Sequence, residues 1–224
     1  MFLNLKKVND MKIKVSAPYT TGEEISHSVT HGIGTALSIA GLVISLVMAA
    51  GTGDAVKIVS FAIFGSSMII LYTASTLYHA FTHKKTKAVF RYMDHIAIFF
   101  LIAGTYTPIA LILLKGAWGW TLFSTAWGLA IAGTVYQIAF LNRFKWVSIS
   151  IYLAMGWLVI IAIEPLMAVM PFGLFMWILA GGLCYTLGSV FYLIDSIKFF
   201  HFIWHLFVIA GTVCHFFGLI FYLL

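Results

Sequence analysis

Charge is what this chain has least of. Thirteen lysines and arginines and seven aspartates and glutamates make 9% of its 224 residues, against 62% hydrophobic. A soluble domain carries roughly a quarter charged residues, because its surface helices each need a polar face. Together with a mean hydropathy of +1.03, the shortage excludes a soluble fold and requires a polytopic membrane protein. Cysteine is scarce too. Cys184 and Cys214 both lie in apolar runs without CxxC spacing, which points to neither a redox motif nor a metal knuckle. Met1 to Thr21 holds charges throughout and no sustained apolar core, so it does not read as a cleavable signal. There is no internal repeat and no polar stretch long enough for a second domain, and an odd number of apolar runs argues against a duplicated transporter.

What is present is a succession of apolar runs. About 20 residues at 1.5 Å of rise each cross a bilayer. On that measure the sequence predicts seven spans near 27–50, 55–80, 92–114, 117–140, 147–166, 172–194 and 199–222. The fold class expected is an all-α bundle of seven transmembrane helices, residues 23–224, preceded by a basic tail, 1–22. Orientation follows from the distribution of lysine and arginine. Lys6, Lys7, Lys12, Lys14, Lys84, Lys85, Lys87, Arg91, Arg143, Lys145 and Lys198 fall on one side, and only Lys57 and Lys115 on the other. This bias predicts a cytoplasmic N-terminus and an outer C-terminus. It also accounts for the net charge of +6 without nucleic-acid binding.

The ionisable residues inside the spans gather at one depth. His201 and His205, four apart, share a helix face at the start of span seven. Imidazoles in a span cost desolvation, and either a divalent metal or hydrogen bonding to a neighbouring helix can offset it. His79 ends span two and Asp94 begins span three on that same side, with Ser75 one turn inside His79. Asp94 reads either as part of a functional site or as a partner of Arg91 or Arg143. Glu24, His27 and His31 share a face of span one. Interfacial hydrogen bonding is expected for His27, and His31 is a secondary candidate. His215 lies about 15 Å beyond His205 along the helix, too far to share its ion, and is expected to bond a neighbouring helix. His95 is expected to be structural and His83 solvated. Glu164 is assigned no chemistry. Span seven holds no lysine, with Lys198 at its mouth, which disfavours a retinal Schiff base.

Several of these stretches resemble the hemolysin III family, related to the progestin and adipoQ receptors and more distantly to alkaline ceramidases. Thr30-His-Gly-Ile-Gly34 is similar to the family's opening segment, and Ser75-Thr-Leu-Tyr-His79 to its Ser-x3-His motif. Arg91-Tyr-Met-Asp94-His95 and Ala103-Gly-Thr-Tyr-Thr-Pro108 resemble its third-helix signature. His201-x3-His205-x9-His215 resembles its seventh-helix pattern. The resemblance covers roughly residues 23 to 224.

The resemblance implies one Zn2+ ion held by His79, His201 and His205 near the cytoplasmic leaflet of the bacterial plasma membrane. It implies an Asp94 that reaches the metal through water and a Ser75 that lines the pocket. Three protein ligands leave zinc a position for water, the arrangement of catalytic sites. The expected partner is then a membrane lipid with an amide or ester at the headgroup boundary, and the expected activity a ceramidase-like hydrolysis in which Asp94 and Ser75 are catalytic. Two other readings stand beside it: a cytolytic or pore-forming protein, as the family name implies, and a sensor of membrane state with structural zinc. The same ligands serve the hydrolase and the sensor, and the oligomeric state is left open.

Overall fold

A computed structural model describes residues 19–140, 145–194 and 196–224. Lys6, Lys7, Lys12, Lys14 and Arg143, used above for orientation, lie outside the described residues. Among the described residues every regular element is helical, and seven helices are long and apolar enough to cross a membrane. They are α1 (Thr21–Gly51), α2 (Ala55–Ala80), α3 (Lys84–Leu114), α4 (Gly116–Phe140), α5 (Lys145–Met167), α6 (Phe172–Leu193) and α7 (Phe200–Leu223).

The largest departures from the expected spans are at two helix starts, and both have local causes. Thr20 and Glu23 form a capping box, with the Glu23 N–H donating to Thr20 Oγ1 and the Thr20 N–H to Glu23 Oε2. Paired this way, the first turn is stable in polar surroundings, and α1 begins six residues before the apolar run. The lysine-rich stretch expected as a loop is instead the opening of α3. His83 stands at its N-cap, and the side chains of His83 and Thr86 are hydrogen-bonded at 3.0 Å.

Each helix packs against its chain neighbour at α1–α2, α2–α3, α3–α4 and α6–α7, and α1 also packs against α7. Without a hydrophobic drive between helices in lipid, close approach and polar contacts hold such a bundle. At Gly34 of α1, a Cβ would stand 2.7 Å from the Tyr72 ring of α2, so only glycine admits this crossing. In the middle of the bundle Tyr72 Oη donates to Thr212 Oγ1 at 2.7 Å, and Tyr185 shares the same hydroxyl at 2.8 Å. One threonine thus joins α2, α6 and α7.

Two helices are irregular. α3 changes from α-helix to a π-turn over Ile109–Leu114, immediately after Pro108. α5 is α-helical over Lys145–Gly156, tightens to a 3-10 stretch over Leu158–Ala162, and ends in the short turn Ile163–Met167. The break in α5 frees backbone groups that cannot be left bare in a bilayer. Tyr106 of α3 takes two of them: its hydroxyl donates to the Gly156 carbonyl at 2.7 Å and accepts from the Val159 N–H at 2.9 Å.

Candidate metal centre and cavity

Two acidic side chains of α1 lock one end of the bundle. Glu23 is buried, and its Oε1 accepts the Phe199 N–H at 3.0 Å. Phe199 caps α7 in the left-handed region at φ 62, a conformation that a non-glycine residue holds only with such support. One residue on, Glu24 Oε2 accepts from His79 Nδ1 at 2.7 Å while its Oε1 pairs with Lys87 at 2.8 Å. The two glutamates therefore fix α1 against the starts of α7 and α3 and the end of α2.

This bonding sets tautomers. Donation from Nδ1 to Glu24 leaves His79 Nε2 as a bare lone pair, and that atom is buried with no partner. His205 is oriented in the same way, with Nδ1–H donating to the His27 carbonyl at 3.3 Å and Nε2 3.1 Å from His201 Nε2. A zinc ion with Zn–N bonds of 2.0–2.1 Å spaces tetrahedral nitrogens about 3.3 Å apart, so the His201–His205 spacing suits two ligands of one ion. The His79 ring centroid lies 5.2 Å from those of both His201 and His205.

A fourth imidazole stands among these three. His27 is 0% exposed and neither ring nitrogen has a partner. Its ring meets His79 at 4.7 Å and His201 at 4.8 Å, both edge to face, and His205 at 5.3 Å. Ligand nitrogens of His27, His79 and His201 all lie within 4.8 Å of one another, a group that can hold a metal ion. Leaving a buried polar nitrogen unsatisfied costs about 1–3 kcal/mol. Unpartnered nitrogens of His27, His79 and His201 in one such group fit a cation. His31 takes a supporting place, stacked on His205 at 3.6 Å and edge-on to Tyr72 at 5.0 Å. Tyr19 lies against His27 and His201 at 4.8 and 5.2 Å.

Beside the cluster lies a cavity of about 360 Å³ running down the bundle. His201, His205, His31, Ser75, Asp94 and His95 line it at one end, and its walls are mostly apolar, with His215 among them, as far as Leu166, Met170 and Phe175. The Ser75 hydroxyl is buried without a partner. Asp94 Oδ2 lies 3.6 Å from His95 Nδ1, and no Arg91–Asp94 ion pair occurs among the described residues. His95 is held by the Arg91 carbonyl at 2.9 Å and Tyr192 Oη at 3.3 Å.

The five residues singled out from the sequence therefore meet at one place. Ser75, Asp94, His201 and His205 share the cavity wall, and His79 stands behind it. His215 bonds α6, its Nε2–H donating to the Ile178 carbonyl at 3.1 Å. His27 differs from expectation: it is wholly buried rather than bonded at an interface. Glu24 had no assigned role, although its spacing from His27 and His31 placed it on the right face.

Residues 19–216 match the family model described as Haemolysin-III related. The chain is 50% identical over 189 residues to the Hemolysin-3 homolog of Bacillus subtilis (strain 168), covering 84% of this chain and 89% of that one. It is 46% identical over 185 residues to Hemolysin-3 of Bacillus cereus, covering 83% and 84%. Against the Monocyte to macrophage differentiation factor of Homo sapiens it is 30% identical over 154 residues, 65% and 62% of the two chains. No solved structure matches it.

Proposed function

The chain belongs to the Haemolysin-III related family, a multi-pass protein of the cell membrane, and within it we propose a zinc-dependent hydrolase of membrane-lipid amides or esters. The observation that carries this reading is the meeting of one long apolar cavity with Ser75, Asp94, His201 and His205 at a single polar end. From His201 to His215, both on its wall, the helix rises roughly 21 Å, room for much of an acyl chain. Lys84, Lys85, Lys87, Arg91 and Lys198 sit at the site's end of the bundle and Lys57 and Lys115 at the other. The positive-inside bias supports a reaction at the inner headgroups.

A zinc ion on His79, His201 and His205 would polarise the substrate carbonyl and lower the pKa of water to about 7. The remaining work falls to side chains. The cavity walls hold the acyl chain and keep bulk water out, so the scissile bond stops at the polar end. Asp94 accepts a proton from the attacking water at a carboxylate oxygen and returns it to the departing nitrogen or oxygen as the acyl bond breaks. Ser75, with its hydroxyl uncommitted, donates to the carbonyl oxygen as negative charge develops there. Glu24 and the His27 carbonyl keep His79 and His205 in the tautomers that present Nε2. The lysis carried in the names of the bacterial relatives follows from the same chemistry, since cleaving bilayer lipid weakens the bilayer.

The test is a panel of ceramides and phospholipids incubated with purified protein, with and without chelator. Fatty acid should be released by the metal-loaded protein and not after chelation. Full metal content with no turnover on the panel would overturn the reading. Dye leakage from liposomes that persists without metal would assign lysis to pore formation instead.

A further inference from the structure

We propose that His27 is itself a metal ligand, so that the resting ion sits in a closed shell of four imidazoles and the first helix decides when that shell opens. The proposal rests on the metal site of the preceding section and concerns its regulation. Three observations carry it. First, His27 is fully buried with both ring nitrogens unpartnered, and a buried imidazole left so needs an explanation. Second, it is ringed by other imidazoles and makes a hydrogen bond to none of them. His79, His201 and His205 encircle it at 4.7, 4.8 and 5.3 Å, and its ligand nitrogen lies within 4.8 Å of those of His79 and His201. Third, the backbone of the same residue accepts from His205 Nδ1, so His27 positions one ligand while offering its own ring beside the others.

The chemical consequence is specific. Zinc with four protein ligands is a closed site of the structural kind, and with three it keeps a position for solvent or substrate. His27 does not line the cavity, whereas His201 and His205 do. It therefore approaches the cluster from the side away from the lipid chain, on a helix tied by Glu23 to the N-cap of α7 and by Glu24 to His79. Shifting the start of α1 withdraws the His27 ring and loosens the His205 support in one movement. The position for substrate then opens as α1 yields.

Zinc-loaded wild-type protein examined by X-ray absorption at the metal edge should give a shell of four imidazoles. Three imidazoles and one oxygen would overturn the proposal without touching the hydrolase reading. In cobalt-loaded protein, His27→Asn should weaken cobalt binding by at least about tenfold, no less than loss of an outer-shell partner does. Azide should perturb the visible cobalt spectrum of this variant and not that of the wild type. A His27→Asn protein with wild-type cobalt affinity and azide response would overturn the proposal, as would a wild type that binds neither metal, which removes the metal site altogether. His27→Gln provides a second variant should the asparagine fail to fold. Four imidazoles in the wild type, with no lipid cleaved by either protein, would leave the proposal standing and remove the hydrolase.

Discussion

Glu24 of the first helix holds Nδ1 of His79, on the second, at 2.7 Å. That contact spans 55 residues of sequence, and it decides which nitrogen of His79 faces the cluster. A carboxylate behind a histidine raises ligand basicity and fixes ring orientation, and such partners typically matter 10- to 100-fold in metal affinity. Lys87 on the other carboxylate oxygen keeps Glu24 in place.

Glu24→Ala should therefore lower zinc affinity by about 10- to 100-fold, measured by competition with a chelator. Glu24→Gln, which keeps an oxygen acceptor but loses the charge, should lie between the variant and the wild type.

Removal of a ligand has a larger effect than removal of its support. His79→Ala and His201→Ala should each reduce the metal content of purified protein from about one ion per chain to near none, read by elemental analysis. A wild-type metal content in His79→Ala would show that the Nε2 presented by Glu24 is not used.

On the proposed mechanism Asp94→Asn removes the proton acceptor and leaves His27, His79, His201 and His205 in place. Fatty-acid release should fall by about 100- to 10,000-fold while metal content stays at the wild-type level. Loss of metal and activity together would instead make Asp94 part of the metal's own support.

Gly156 lines the cavity where α5 breaks, and a Cβ there would meet nothing within 4 Å. Gly156→Leu should fill open space rather than clash. Turnover of long acyl chains should fall at least about tenfold relative to short ones, with unchanged metal content. An unaltered chain-length profile would place the acyl chain elsewhere.

Tyr72→Phe deletes the donor that ties α2 to Thr212 of α7. About 1 kcal/mol of stability should be lost, measured by unfolding in detergent. Metal binding should survive, because Tyr185 still holds Thr212.

Hydropathy made the number and order of the spans legible, because a bilayer demands long apolar runs whatever the neighbours are. It misplaced the starts of α1 and α3, since a capping box and a lysine-bearing first turn extend a helix into polar surroundings where hydropathy falls. The histidine pair of α7 was legible from its four-residue spacing. His79, Ser75 and Asp94 were legible from their common depth. His27 and Glu24 stood in plain view on one face of α1, yet no periodicity along one helix reveals which residue of another it will meet.

The amino-acid sequence alone determined a seven-helix membrane protein with histidines, a serine and an aspartate collected near one end. Only the tertiary structure decided that α1 lies against both α2 and α7, that Glu24 selects the free nitrogen of His79, and that Tyr106 makes the broken α5 tolerable beside the cavity. The reason is physical. Crossing a bilayer is a property of each segment by itself. Helix neighbours in lipid are chosen by close packing and a few polar contacts between residues far apart in the chain.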